Sequence, residues 1–208
     1  VGAVEGVVQA APARVRRVQR IARIGDRHDE LRPRHGRDLG IHPGRVDQVF
    51  DLLRLLPANP DLIGAEVELI SALARENKLK QALAAVTDQY DYVLIDCPPS
   101  LGLLTINALT AADSVLIPLQ CEYYAMEGLS QLINTVRLIQ RELNPALMIH
   151  GILLTMFDAR NNLSHQVVEE VRQHFPGQVY ETVVPRNVRL SEAPSHGKPV
   201  LLYDVASR

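Results

Sequence analysis

Nine consecutive residues, Tyr92-Val93-Leu94-Ile95-Asp96-Cys97-Pro98-Pro99-Ser100, carry most of the information on fold class. Apolar and aromatic residues run directly into an aspartate, and two prolines then end the run. A continuous apolar run bounded by breakers predicts a strand that is buried on both faces of a parallel sheet. Because open α/β sheets bind ligands at the carboxyl ends of their strands, Asp96 is a candidate ligand of a metal ion beside a nucleotide phosphate. The alternative is that Asp96 only caps the following turn.

Strands and helices alternate along the rest of the chain. Apolar periodicity predicts helices over residues 62–86 (with a break near Asn77), 103–111, 125–143 and 164–175, the last with Ser164 as N-cap. Apolar runs predict strands over residues 92–96, 114–119, 148–156 and 179–184, followed by a polar loop through Lys198 and an apolar piece over 200–205. This alternation predicts an α/β fold with a doubly wound, mainly parallel sheet and right-handed crossovers.

Composition limits the class of protein. A chain of 208 residues with 47% hydrophobic residues is long enough for one domain with a sizeable core. No run approaches the roughly 18–20 apolar residues that a membrane span needs. Cys97 and Cys121 are too few for a disulfide scaffold and lack metal-ligand spacing. These observations argue against a membrane-spanning or disulfide-rich protein and fit a reduced cytoplasm.

Residues 1–54 differ in composition from the rest of the chain. They contain 11 arginines, no lysine and 7 acidic residues, a formal charge of +4, whereas the remainder carries −6. Residues 15–24 can be drawn as a basic amphipathic helix, and no buried strand is evident. One interpretation is a basic arm for nucleic acid or an acidic partner, and a second is a transit peptide, against which Asp26, Asp29 and Glu30 argue. The third is a non-native segment produced by a frame error or a chimeric join.

Four further motifs follow the strand that ends at Asp96, and together they resemble one protein family. They are Ser100-Leu101-Gly102-Leu103-Leu104-Thr105-Ile106-Asn107-Ala108-Leu109, Gln120-Cys121-Glu122-Tyr123-Tyr124-Ala125-Met126-Glu127-Gly128, Leu154-Thr155-Met156-Phe157-Asp158-Ala159-Arg160 and Val184-Pro185-Arg186-Asn187-Val188-Arg189-Leu190-Ser191-Glu192-Ala193-Pro194-Ser195. In this order and spacing they closely resemble the ParA/Soj family of chromosome- and plasmid-partitioning ATPases, in the deviant Walker P-loop group that also holds MinD.

The resemblance runs without a visible gap from about Leu55 to Arg208. It implies a partial ATPase domain over residues 55–208, with a P-loop NTPase-like sheet that is incomplete at the N-terminus and the C-terminus. Its abrupt start near Leu55 favours the third interpretation of residues 1–54.

The resemblance also implies a nucleotide site. Asp96 matches the Walker B aspartate, a catalytic residue that acts electrostatically on Mg²⁺, through a water molecule. The implied nucleotide-binding residues are Pro98 and Pro99 beside the phosphates, and Thr155, Met156, Pro185 and Asn187 around the adenine of ATP. The alternative for Pro98 and Pro99 is that they only stop the strand, and the two roles are compatible. For the other four residues the alternative is ordinary loop packing.

A phosphate-binding loop, which the family carries upstream of these motifs, is not evident. Such a loop needs a glycine-rich turn that ends in Lys and Ser or Thr. The single Gly-Lys pair, Gly197-Lys198, does not fit, because Glu192 stands in place of the first glycine and Pro199 in place of Ser or Thr. No lysine precedes Lys78, and no Asp-Pro-Gln switch is present. We therefore expect the chain as given not to hydrolyse ATP.

By the same resemblance, Arg160 and Arg189 contribute to non-specific DNA binding by an ATP-bound dimer, and Arg186 is a further candidate. Arginines would neutralise phosphates and release counterions, so such binding should fall steeply with salt. Because residues 55–208 are net acidic, the contact must come from a local patch formed by pairing two subunits. Solvated surface charge is the alternative.

The implied function is a partition ATPase of the cytoplasm and nucleoid, without membrane contact. ATP bound between two subunits would build a homodimer on nucleoid DNA, and a ParB-type partner would stimulate hydrolysis and release it. One alternative is a degenerate, non-catalytic module that binds DNA or a protein partner, with residues 1–54 as a basic arm. A MinD-like membrane-associated regulator is the other.

Overall fold

The computed structural model describes residues 6–10, 56, 61–97 and 102–207. Its strands are β1 (Gly6–Ala10), β2 (Val93–Cys97), β3 (Ser114–Gln120), β4 (Met148–Phe157) and β5 (Val179–Pro185). Its α-helices are α1 (Asp61–Leu69), α2 (Lys78–Leu83), α3 (Leu103–Ala111), α4 (Ala125–Glu142), α5 (Asn162–His174), α6 (Val188–Glu192) and α7 (Val200–Tyr203). Short 3₁₀ helices lie at Arg75–Asn77, Thr87–Gln89 and Ala193–His196.

The described strands form one sheet in the order β2-β1-β3-β4-β5. The pairs β3–β4 and β4–β5 are parallel, whereas β1 is antiparallel to both of its neighbours. Consequently β2, β3, β4 and β5 all run in the same direction, and their carboxyl ends lie at one edge. The prediction of a mainly parallel α/β sheet is therefore confirmed.

Strand β1 was not predicted, since no buried strand was evident in residues 1–54. It pairs through its backbone with β2 on one side and β3 on the other, and Val7 lies opposite both Asp96 and Leu116. The only sequence signal is the pair of β-branched residues Val7 and Val8, which favours a strand. A strand of five residues is too short for apolar periodicity to reveal it, and no signal for a turn or a second strand follows it.

The prediction that β2 is buried on both faces is wrong in the described structure. Its side chains alternate instead: Ile95 packs against the hydrophobic core, whereas Leu94 is 66% exposed. The described elements cover the face of β2 that carries Ile95 and leave the face that carries Leu94 largely uncovered. An apolar run shows that a strand can be covered on both faces but does not supply the elements that cover it.

The start of α5 differs from the sequence expectation. The helix predicted from Ser164 begins at Asn162, and Asn161 caps it by accepting a hydrogen bond from the Leu163 backbone N–H at 3.0 Å. Ser164 is 2% exposed and donates its hydroxyl to the Cys121 carbonyl at 3.3 Å. It therefore joins α5 to the loop after β3 instead of capping the helix.

The segment predicted as helical over residues 62–86 is shorter and more broken than expected. Helix α1 ends at Leu69, and α2 begins only at Lys78. Between them Ala74 adopts the left-handed conformation, with a φ of 49°, which an L-residue other than glycine visits at a cost. The loop predicted before residue 198 also contains α6 and a 3₁₀ helix.

The core lies where α3 and α4 pack against the centre of the sheet. Ile117, Leu119, Ile152 and Leu154 of β3 and β4 have no measurable exposure. Helix α4 buries residues at spacings of three and four, namely Ala125, Leu129, Ile133, Val136 and Ile139, which is the apolar stripe of an amphipathic helix. Among the described helices, none has the length and apolar character that crossing a membrane would require.

Two buried asparagines fix α3, the helix that follows β2. Asn107 accepts a hydrogen bond from the Leu79 N–H at 3.1 Å and donates to the Arg75 carbonyl at 2.9 Å. Asn144 donates to the carbonyls of Leu109 and Ala112 at 3.0 and 2.7 Å, at the helix end where carbonyls lack partners within the helix. These contacts fix the position of α3, whose first residue, Leu103, is where the loop after β2 ends.

Candidate functional site

The candidate functional residues converge on the carboxyl edge of the sheet. Backbone hydrogen bonds join three of the loops there: the Cys121 N–H donates to the Thr155 carbonyl at 2.9 Å, and the Arg186 N–H donates to the Phe157 carbonyl at 2.8 Å. The structure therefore brings the ends of β3, β4 and β5 together. Asp96 is the residue before the last of β2 and lies at the same edge, but β1 separates β2 from β3.

Asp96 is an exposed carboxylate beside a buried thiol. Burial raises the pKa of Cys97 to about 11, and the neighbouring Asp96 charge adds to the effect. Cys97 therefore stays protonated at neutral pH and packs in the core, as expected of a small apolar side chain.

Asp96 has the chemistry of a single protein ligand to magnesium. The part of the chain that the structure describes contains no group of three His, Cys, Asp or Glu residues able to hold a metal ion. Mg²⁺ is commonly held by one or two carboxylates together with waters and phosphates, so a lone carboxylate at this edge is compatible with it. The neighbouring prolines of the motif, Pro98 and Pro99, lie outside the described residues.

The end of β4 carries a backbone irregularity at Met156. Its φ of 54° lies in the left-handed region, and the register with β5 shifts between Leu154 and Phe157. Residues other than glycine in this region are uncommon and cluster at functional sites. The kink redirects the chain from the sheet into the turn that carries Asp158 and Arg160. Thr155 and Met156 are both half-buried.

Asn187 has a structural task of its own after β5. Its side-chain oxygen accepts a hydrogen bond from the Arg189 N–H at 2.8 Å and so caps α6. Its side-chain nitrogen donates to the Ser207 hydroxyl at 2.8 Å. A direct contact between this side chain and adenine would have to replace the Ser207 hydrogen bond, so the predicted role of Asn187 stays a prediction, as does that of its neighbour Pro185.

Each of the three candidate DNA-binding arginines is paired with carboxylates in this structure. Arg160 donates from Nε and Nη2 to the two oxygens of Asp158, both at 3.0 Å. Arg186 donates to Glu122 Oε1 at 2.6 Å. All three guanidinium groups remain at least half exposed, with Arg160 the most exposed at 90%.

Arg189 is held from two sides. Its Nη1 donates to Glu192 Oε2 at 2.8 Å, and its Nε lies 3.4 Å from Asp204 Oδ2. Sequence reasoning named the arginines but missed the carboxylates that pair with them. The signal was available for two of them, because Asp158 stands two residues before Arg160 and Glu192 stands three residues after Arg189.

The Asp158 carboxyl should titrate near pH 2. Hydrogen bonds from the Arg160 side chain and backbone, with the charges of Arg160 and Arg186, hold its pKa at about 2, below the ordinary 3.8. Because the folded pKa is depressed, the pairing stabilises the fold above the ordinary pKa and is lost as pH falls towards 2. We expect Arg160→Gln to raise this pKa towards its ordinary value in a carboxyl-carbon NMR titration. Arg186→Gln should raise it less, and the reverse order would contradict the assignment.

Comparison with known proteins identifies what this arrangement resembles. A family model described as an AAA domain matches residues 38–149, more than half of the chain. The sporulation initiation inhibitor protein Soj of Bacillus subtilis is 67% identical over 156 residues, which cover 75% of this chain and 62% of that protein. The chromosome partitioning protein ParA of Myxococcus xanthus is 65% identical over 156 residues, which cover 75% of this chain and 55% of that protein. The chain thus spans less than two thirds of each relative.

A solved structure with bound ligands has the same fold. Cobyrinic acid a,c-diamide synthase from Mycobacterium smegmatis, with bound ADP and magnesium, matches with a TM-score of 0.59 at 39% identity. The match covers 69% of this chain and 63% of that one.

Proposed function

This chain belongs to the ParA/Soj family of partitioning ATPases. We propose that it supplies the magnesium-binding aspartate and the DNA-binding arginines of such an enzyme. In the complete protein, ATP and Mg²⁺ would hold two subunits together as a homodimer on nucleoid DNA in the cytoplasm. A ParB-type partner would stimulate hydrolysis and release the dimer. The single observation that carries the proposal is the convergence of Asp96, the loops after β3 to β5 and three arginines on one edge of a mainly parallel sheet.

Asp96 would supply the protein's negative charge to the metal ion. A magnesium ion held there would neutralise the charge that develops on the phosphates during transfer. Asp96 is exposed near the end of β2, and Mg²⁺ in proteins usually keeps several of its waters, which supports contact through a water molecule.

Arg160, Arg186 and Arg189 would contact the DNA backbone. Their guanidinium groups are exposed. Arg160 comes after β4, and Arg186 and Arg189 come after β5, at the edge where the subunits would pair. Each phosphate contact adds to the salt dependence of binding without adding sequence preference, as non-specific binding requires. The contribution of residues 1–54 as a basic arm is the alternative, and deletion of those residues separates the two.

The metal role of Asp96 can be tested with Mn²⁺, a paramagnetic substitute for Mg²⁺. We expect millimolar Mn²⁺ to broaden the backbone NMR signals of Cys97 and Gly102, on the two sides of the loop after β2, and Asp96→Asn to abolish the broadening. Asp113→Asn is the matched control, because Asp113 is also exposed but precedes β3 at the opposite edge of the sheet. Broadening that survives Asp96→Asn, or that depends equally on Asp113, would contradict the assignment.

A further inference from the structure

The pairing of Arg189 is more elaborate than a single surface ion pair. Besides Arg189, Glu192 Oε2 accepts a hydrogen bond from the Tyr203 hydroxyl at 3.1 Å. The Tyr203 ring in turn stacks on His196, with ring centroids 4.9 Å apart. Asp204, the residue after Tyr203, approaches Arg189 from the other side. We call Glu192, Tyr203 and Asp204 the Arg189 clamp.

We propose that the Arg189 clamp competes with DNA phosphate for the Arg189 guanidinium and thereby lowers the affinity of the protein for DNA. The inference rests on the proposed DNA-binding role of Arg189 and adds to it the carboxylates that set its strength. A DNA phosphate must displace Glu192 from Nη1, and Asp204 from the vicinity of Nε, before it can make a two-point contact with these donors.

Local charge supports competition over simple attraction. The three arginines at this edge face four carboxylates within ion-pair distance, those of Asp158, Glu122, Glu192 and Asp204. While the pairs are intact the group has no net positive charge, so it offers little long-range attraction for DNA. Exposed ion pairs are weak, because water screens the two charges, so phosphate can replace the carboxylates. The clamp therefore weakens binding without preventing it.

The helices that carry the clamp are also held by hydrogen bonds outside it. Asn187 caps α6 independently, and the Lys198 N–H donates to the Ala193 carbonyl at 3.2 Å. Helix α7 is closed by backbone hydrogen bonds from Leu202 and Tyr203 to the Pro199 carbonyl. Replacing the clamp carboxylates by their amides should therefore change the charge near Arg189 while leaving the fold intact.

The test compares the affinity of the 208-residue chain for random-sequence duplex DNA with that of Glu192→Gln and Asp204→Asn. Affinity is measured by fluorescence anisotropy at low salt with ATP and Mg²⁺ present, because the proposed DNA-binding form is the ATP-bound dimer. Each exposed pair is expected to contribute about two- to fivefold, so each variant should bind more tightly by that factor and the double variant by about tenfold. The difference should shrink as salt is raised, because salt screens both phosphate and carboxylate. Circular dichroism confirms that each variant is folded.

Glu142→Gln is the matched control. Glu142 pairs with Arg141 at 2.6 Å near the end of α4, so the variant removes one negative charge and opens one exposed pair away from the carboxyl edge. The inference is overturned if Glu142→Gln tightens binding as much as the clamp variants do, or if the clamp variants do not tighten it. In either case the DNA role stands as long as the wild-type chain binds DNA. Weaker binding by the clamp variants also overturns it, because the carboxylates would then orient Arg189 for DNA. If the wild-type chain and every variant fail to bind, the DNA role itself fails and the inference falls with it.

Discussion

With ATP and Mg²⁺ present, the double variant Arg160→Ala/Arg189→Ala should bind random-sequence duplex DNA about tenfold more weakly than the unmodified chain at low salt. Each arginine lost removes one phosphate contact and its released counterion, so the slope of log affinity against log salt should become shallower by about 2. The loss of affinity is kept moderate because in the free protein both guanidinium groups are already paired with carboxylates. The measurement is a salt series of anisotropy titrations, which reports affinity and slope together.

The matched control for this prediction is Arg137→Ala/Arg141→Ala. Both residues are exposed in the second half of α4, which begins after β3 and runs back towards the opposite edge of the sheet, so the charge change is the same and the position is not. If both double variants lose the same affinity, binding reflects overall charge and not a patch at the carboxyl edge. If DNA affinity is lost only on deletion of residues 1–54, and if the binding itself does not require ATP, the basic-arm alternative is favoured.

The sequence predicted elements well where local pattern and burial agree. Helix α3 lies at residues 103–111 as expected, because its apolar residues, the preceding Gly102 and the following strand all mark the same boundaries. Strands β3 and β4 end within one residue of the prediction. Both are central strands with apolar side chains on both faces, so that the apolar run and the strand coincide.

Features that depend on distant partners could not be predicted. The exposure of Leu94 depends on which elements pack over the faces of β2, and the buried position of Ser164 depends on the Cys121 carbonyl, which is 43 residues away in sequence. The candidate site shows the same division. Asp96 and the arginines are recognisable by type and spacing, whereas the pairing of Arg186 with Glu122 joins residues 64 positions apart and has no local signal.

Leu154→Ala should be among the most destabilising single substitutions in the described sheet. Leu154 has no measurable exposure, and its neighbours in register are Leu119 of β3 and Val183 of β5. Removing its side chain leaves a cavity between three strands that cannot close without distorting the sheet. The expected loss in free energy of unfolding is about 3–5 kcal/mol. Urea denaturation should register it as a lower midpoint with an unchanged slope.

Leu138→Ala is the control for the same change of side chain at a partly exposed position. Leu138 lies on α4 and is 48% exposed, so its truncation should cost about 1 kcal/mol or less. Similar losses for the two variants would mean that the β3–β4–β5 layer is not the cooperative core of the fold.

Leu154 directly precedes Thr155 and Met156, so Leu154→Ala should also weaken DNA binding if packing beneath β4 holds the Asp158–Arg160 turn in place. Full stability loss with unchanged DNA affinity would instead show that this turn keeps its geometry through its own hydrogen bonds.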